Sequence, residues 1–187
     1  VGLSIAPVQF NPVSKELIIH KKINIRVEFE GGNGMFGDDR LRSMYWDPIL
    51  QHNILNYNNI PKVDYTKRME RWITDDAEGA EYLIIIPDNE SFREQAQRLA
   101  DYRSKQGIIT EVYSLGDINV NSHEELRNWI IDAYNNWGIA PVAVCLFGDY
   151  DTNPSYGISA FTFDFNGYAT YISDRPFADI DNDLLPD

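Results

Sequence analysis

Cysteine is nearly absent from these 187 residues: Cys145 stands alone, so no disulfide can close within the chain, and the lack of one says nothing about compartment. Histidine is scarce as well. His20, His52 and His123 fall at no spacing that suits a metal-His site or a Ser-His-Asp hydrolase. Basic residues number 16 against 29 acidic ones, a formal charge of -13. Phosphate backbones and anionic membrane surfaces are repelled by such a chain, so nucleic acid is not an expected partner. No apolar run reaches the ~20 residues of a membrane span, and none is expected. Val1-Gly2-Leu3 lacks the basic and long apolar stretches of a signal peptide, so the start is expected to be trimmed. A Gly-rich phosphate loop is missing too.

Apolar residues are plentiful at 43%, which is enough to bury a core in one or two domains. The first 30 residues carry strand periodicity. Ile23, Ile25, Val27 and Phe29 alternate with Asn24, Arg26, Glu28 and Glu30, the pattern of a half-buried antiparallel strand. Its simplest partner is "APVQF" or "ELIIH", with Asn11-Pro12 as a turn. "GGNGMFG" is a loop, and "MYWDPILQHNILNYNNIPKVDY" reads as irregular with one short helix ending before "NYNNIP". "TDDAEGAE", Thr74 to Glu81, has the small acidic composition of a linker.

After Glu81 the period changes. "YLIIIP" is an apolar run suited to a strand buried on both faces. Asp88 or Asn89 can cap a helix over 89–106 whose stripe is Phe92, Ala96, Leu99, Ala100 and Arg103, with Gly107 as its end. "IITEVYSL" is a second strand. Ser122 and Glu125 form a capping box for a helix over 122–137, with Leu126, Trp129, Ile130, Ala133, Tyr134 and Trp137 on one face, and "VAVCLFGD" is a third strand. The fold class is therefore α/β, a parallel β-α-β-α-β unit preceded by a small antiparallel β-rich region. Asp88, Asp117 and Asp149 fall at the carboxyl ends of the strands, where they are read as caps of turns and helices.

The chain closes on "DIDNDLLPD". Asp179, Asp181 and Asp183 alternate and Asp187 follows, placing hard oxygen ligands in one short loop, as Ca²⁺ prefers. Leu184 stands where an EF-hand needs glycine, so the site is not that loop. A solvated acidic loop is the alternative. A bound Ca²⁺ would need further oxygens from carbonyls, water or a carboxylate such as Asp174.

"EYLIIIPDNESFREQAQRLADYRSKQGIITEVYSL", "SHEELRNWIIDAYNNWGIAPVAVCLFGDY" and "YISDRPFADIDNDLLPD" together resemble the first half of the catalytic domain of gingipain-family cysteine peptidases. "APVQFNPVSKELIIHKKINIRVEFEG" is similar to the β-rich prosegment that precedes such domains. The resemblance implies a caspase-like fold, with residues 1–78 a prosegment-like region and 79–187 the amino-terminal half of a peptidase domain. It also implies a protein or peptide substrate, a secreted or cell-surface location, and a catalytic Cys/His dyad downstream of this chain. The remaining half of the domain is then the chain's first partner, and the sequence is expected to stop where a further strand begins. Cys145, inside "VAVCLFG", is expected to be a core thiol with no catalytic role, and the three histidines to serve surface or packing roles. A non-catalytic surface module of the same fold, using Tyr45, Trp46 and Tyr57 as a binding face, is the alternative.

Overall fold

The computed structural model describes residues 4–26, 39–74, 79–167 and 169–183. The chain divides into two compact units, Val1–Met35 and Phe36–Asp187. In the first, β1 (Val8–Asn11) pairs antiparallel with β2 (Glu16–Ile19), Val8 opposite Ile19 and Asn11 opposite Glu16. Asn11 Oδ1 accepts from the N–H groups of Val13 (3.0 Å) and Ser14 (3.3 Å), and Lys15 takes the left-handed conformation at φ 59°. That Asx turn closes a local hairpin at little loop entropy. "APVQF" therefore pairs with "ELIIH", a pairing the sequence reading did not propose; of "INIRVEF", residues 23–26 form no regular element, and Val27 and Phe29 lie outside the described residues. His20 follows β2, its N–H bonded to Pro7 O at 2.9 Å.

The second unit begins with a 3-10 turn, Asp39–Leu41, and two helices, α1 (Asp47–Asn53) and α2 (Tyr65–Thr74). Pro48 opens α1, where its missing N–H costs nothing, and the helix ends ahead of "NYNNIP" as expected. Helix α2 was not foreseen. Its Arg68 is buried, and Met69 and Trp72 pack on the main core. The stretch read as a linker is packed from Gly79 onward: Gly79 bridges Ile139, and Ala80 and Glu81 are buried. Thr74 closes α2, and residues 75–78 lie outside the described ones.

Strands β3 (Tyr82–Ile86), β4 (Thr110–Ser114) and β5 (Ala143–Leu146) form a parallel sheet in the order β4-β3-β5. Helix α3 (Glu90–Lys105) joins the first two, and α4 (His123–Asn136) joins β4 to β5. Because β3 is central, alternate residues of its apolar run face opposite layers. Leu83 and Ile85 pack with Leu126, Ile130 and Ala133 of α4, whereas Ile84 and Ile86 pack with Ala96 and Ala100 of α3. Both helices start where their caps predict. Asn89 Oδ1 accepts from Ser91 N (3.0 Å) and Ser122 Oγ from Glu125 N (3.2 Å), while Glu125 Oε2 reaches back to Asn121 N at 2.8 Å.

Beyond β5 the chain adds elements absent from the sequence reading. A short parallel pair joins β6 (Asp149–Tyr150) to β7 (Gly157–Ile158), and an antiparallel hairpin joins β8 (Phe161–Phe165) to β9 (Ala169–Ser173). The hairpin turns through Asn166 (φ 53°) and Gly167 (φ 72°). A 3-10 turn at Arg175–Phe177 inserts Phe177 into the core. Among the described residues no helix is long and apolar enough to cross a membrane.

Candidate functional site

In an open parallel sheet the ligand crevice lies at the carboxyl ends of strands whose connections run to opposite sides, here β3 and β5. That end of the sheet is occupied by the chain itself. Asp88 N donates to Pro154 O at 2.7 Å, Asn89 Nδ2 donates to Ser155 O at 3.2 Å, and a Cβ on Gly148 would sit 3.1 Å from Pro87. The three acidic residues serve turns, as expected. Asp88 Oδ1 accepts from Gly116 N (2.7 Å) and Asp149 Oδ1 from Tyr150 N (2.8 Å). Asp117 Oδ2 accepts from Arg93 Nη2 (2.6 Å) and Ser114 N (2.8 Å), and these donors, Arg93 first, hold it below the usual carboxylate range.

Cys145 lies on the α3 face of β5, packed against the same cluster as Tyr82. It is half-buried, not sealed in the core as its apolar neighbours suggest, because β5 is an outer strand of the three described. Among the described residues no hydrogen bond or ion pair joins it to a histidine. His52 Nδ1 is 2.6 Å from Pro48 O within α1. His123 offers Nδ1 to Ser159 Oγ at 3.0 Å and Nε2 to Glu124 Oε1 at 2.8 Å, with its ring edge-on to Phe161 at 4.5 Å. A Ser-His-Glu line of this kind invites comparison with a hydrolytic triad. Yet the Glu124 side chain is 63% exposed, so it cannot fix the imidazole in a water-excluded site. The histidine ties the start of α4 to the loop before β8.

The acidic loop is the site that the structure does assemble. Asp179, Asp181 and Asp183 bring carboxylate oxygens within 4.8 Å of one another, and Asp187 lies outside the described residues. The loop is held by Arg127 of α4, a residue the sequence reading did not single out. Its Nε donates to Pro176 O (2.7 Å), and Nη2 donates to Asn182 Oδ1 (2.9 Å) and to the carbonyl of Asp179. Asn182 takes φ 65°, the left-handed turn that folds the loop back, and Asp183 N donates to Asp181 Oδ1 at 3.1 Å. Asp181 and Asp183 are exposed, but Asp179 is 7% exposed. Its Oδ2 stands 3.6 Å from Arg127 Nη2, and its Oδ1 is buried with no hydrogen-bond partner. A buried carboxylate oxygen lacking a donor is costly, and a hard cation would relieve it, so the donor set fits Ca²⁺. Asp174, considered as a further ligand, lines a cleft of about 470 Å³ with Phe177, Ile180 and Val144.

Residues 75–187 match the family model described as peptidase family C25, and residues 1–64 match its propeptide model, Propeptide_C25. These matches agree with the gingipain-like resemblance, prosegment first and peptidase part second. No curated protein and no solved structure matches the chain significantly.

Proposed function

Because the chain belongs to peptidase family C25, with the family's propeptide region ahead of its peptidase region, we propose that it is the amino-terminal part of a gingipain-like cysteine endopeptidase with a caspase-like fold. Peptide-bond cleavage is then carried out by a Cys/His dyad located downstream of this sequence. The observation that carries this reading is the pairing of the two family matches with a half-buried Cys145 that has no imidazole beside it. A thiolate nucleophile needs such a neighbour or a helix N-terminus. The 187-residue chain alone is expected to show no peptide turnover. A longer form that includes sequence following Asp187 is expected to cleave peptides and to lose that activity on thiol alkylation, with Cys145→Ser fully active. Activity that survives alkylation, or disappears in Cys145→Ser, sinks the reading.

The acidic loop is proposed to bind Ca²⁺ through Asp179, Asp181, Asp183 and Asp187, weakly, in the range of ~10⁻⁴–10⁻³ M found in extracellular modules. The orphaned Oδ1 of Asp179 supports this. Such an affinity suits a secreted or cell-surface protein, the location that the family resemblance suggests. Calorimetry on the chain should give saturable heat that vanishes in Asp181→Asn/Asp183→Asn. No saturable heat up to ~10 mM Ca²⁺, well above that range, removes the site.

A further inference from the structure

Strands β8 and β9 pair only with each other among the described residues, so their hairpin leaves two backbone edges without a strand partner. Its base is fixed and its arm is not. Phe161 meets the rings of His123 (4.5 Å) and Phe177 (5.2 Å), whereas every residue from Ala169 to Ile172 is exposed and a Cβ on Gly167 would meet nothing within 4 Å. A two-stranded ribbon standing by itself is at best marginally stable in water, so an arm of this kind gains from a third strand.

The two edges are not equivalent. Strand β8 carries Asp164, whose Oδ1 accepts from Gly167 N at 2.8 Å, and a charge is a common guard on an edge strand. Strand β9 reads Ala-Thr-Tyr-Ile-Ser, with no charge, no proline and mostly residues that favour strands. Beside that unguarded edge Tyr171, 51% exposed, stacks on Phe163, 39% exposed, with ring centroids 5.4 Å apart and planes at 21°. Ile172, 48% exposed, lies on the opposite face of the ribbon. A strand added along β9 therefore meets an aromatic step on one face and an aliphatic one on the other.

The base of the arm lies toward the carboxyl edge of the parallel sheet, because His123 is the first residue of the helix that follows β4. Open α/β sheets take their ligands at that edge. Charge narrows the occupant. No lysine or arginine falls between Arg127 and Arg175, while Asp149, Asp151, Asp164 and Asp174 do, and the whole chain carries -13. Such a field opposes a second copy of the chain and any strongly acidic segment. We infer that the outer edge of β9 receives an extended stretch of polypeptide substrate, poor in Asp and Glu, by strand addition. Main-chain hydrogen bonds supply the affinity, and an apolar side chain seats beside Tyr171. That the occupant is a substrate rests on the peptidase reading; the strand addition itself does not.

The probe is an uncharged peptide of about ten residues, Thr alternating with Val, beside a counterpart in which Glu replaces the internal Thr residues. On the full 187-residue chain the uncharged peptide is expected to slow amide hydrogen exchange within Ala169–Ser173 and not within β1 or β2. The Glu peptide should bind several-fold more weakly at low salt, with the gap closing as salt is added. Tyr171→Ala should weaken binding about fivefold, and Ile172→Lys, which sets a charge on the open edge, should abolish it. In a longer form that cleaves peptides, Tyr171→Ala should raise KM for an extended peptide about fivefold and leave kcat unchanged. Exchange and affinity are read without turnover, so an inactive longer form counts against the peptidase reading alone. Unchanged exchange in β9, or equal affinity in Tyr171→Ala and its parent, overturns the strand addition. Protection of β9 without peptide, whether it rises with protein concentration or is already present in the longer form, overturns it too, by assigning the edge to a second copy or to the rest of the domain. An active longer form whose KM ignores Tyr171→Ala overturns the substrate as its occupant.

Discussion

Two arginine-carboxylate pairs sit at opposite ends of the same sheet. At the amino edge Arg68 and Glu81 are sealed, with side chains 7% and 2% exposed; at the carboxyl edge Arg93 and Asp117 are 37% and 43% exposed. The exposed pair is the shorter one, 2.6 Å against 3.3 Å, so distance alone would rank it the stronger. Burial reverses the ranking of what is lost on breaking each. Bulk water replaces a missing partner at the carboxyl edge, whereas a lone charge at the nearly unexposed amino edge keeps much of its desolvation cost.

Arg68→Ala should therefore have the largest effect, about 3–5 kcal/mol in denaturant unfolding, since it strands Glu81 and releases the carbonyls of residues 40 and 42, to which Arg68 donates. A loss below about 1 kcal/mol would mean that the amino edge is wetter than it looks. Arg40 Nη1 donates to the carbonyls of Tyr134 (3.4 Å), Asn135 (3.2 Å) and Trp137 (2.8 Å) at the end of α4. Arg40→Ala should cost about 1 kcal/mol, the ordinary worth of a cation at a helix carboxyl end, and Arg40→Lys should recover part of it. Arg93→Ala should cost less than that, and the difference should shrink further as salt is added. A salt-independent cost at Arg93 larger than that at Arg40 would erase the contrast between the edges.

The pairs should also respond oppositely to acid. Burial pushes Glu81 above its ordinary value of 4.5, with Arg68 and the Ile109 N–H pulling it back. The folded chain then holds the proton more tightly than the unfolded one, so this residue's contribution grows as pH falls toward 4.5 and is lost as pH rises through the folded value. Asp117 is held below its ordinary 3.8, so its contribution is present above 3.8 and is lost as pH falls through the lower folded value. Stability profiles of the wild type and Glu81→Gln should diverge in slope above pH 4.5. Parallel profiles there would show that Glu81 titrates normally and is not desolvated.

How far the fold could be read from the sequence followed the strength of local signals. "YLIIIP", Asn89 and the Ser122–Glu125 pair each combine periodicity with a cap, and their elements lie within a few residues of the predicted spans. The pairing of "APVQF" with "ELIIH" was missed because the alternation in "INIRVEF" drew attention away from the Asx turn at Asn11, which fixes the register of a local hairpin. A usable signal was missed at "FDFNGYAT", where Asn-Gly between alternating aromatics announces the β8–β9 hairpin. The acidic loop was legible as a donor set. Its anchor, Arg127, was not, since 52 residues separate it from Asp179 and no local pattern connects them. Helix α2 went unseen for a related reason: part of its inward face is defined by Arg68 meeting Glu81, which lies just ahead of β3, outside the helix.

Glu81 touches the origins of three strands, one of which begins only after residue 142. In kinetic terms its surroundings are not complete until the most distant strand, β5, has docked, so the Arg68–Glu81 contact is expected to reach its native setting late in folding. Contacts formed that late are absent from the transition state and set how fast the native chain comes apart. Substitution of Arg68 is accordingly expected to speed unfolding while leaving the refolding arm of a chevron nearly in place; a matching drop in the refolding rate would put the amino edge in the folding nucleus instead.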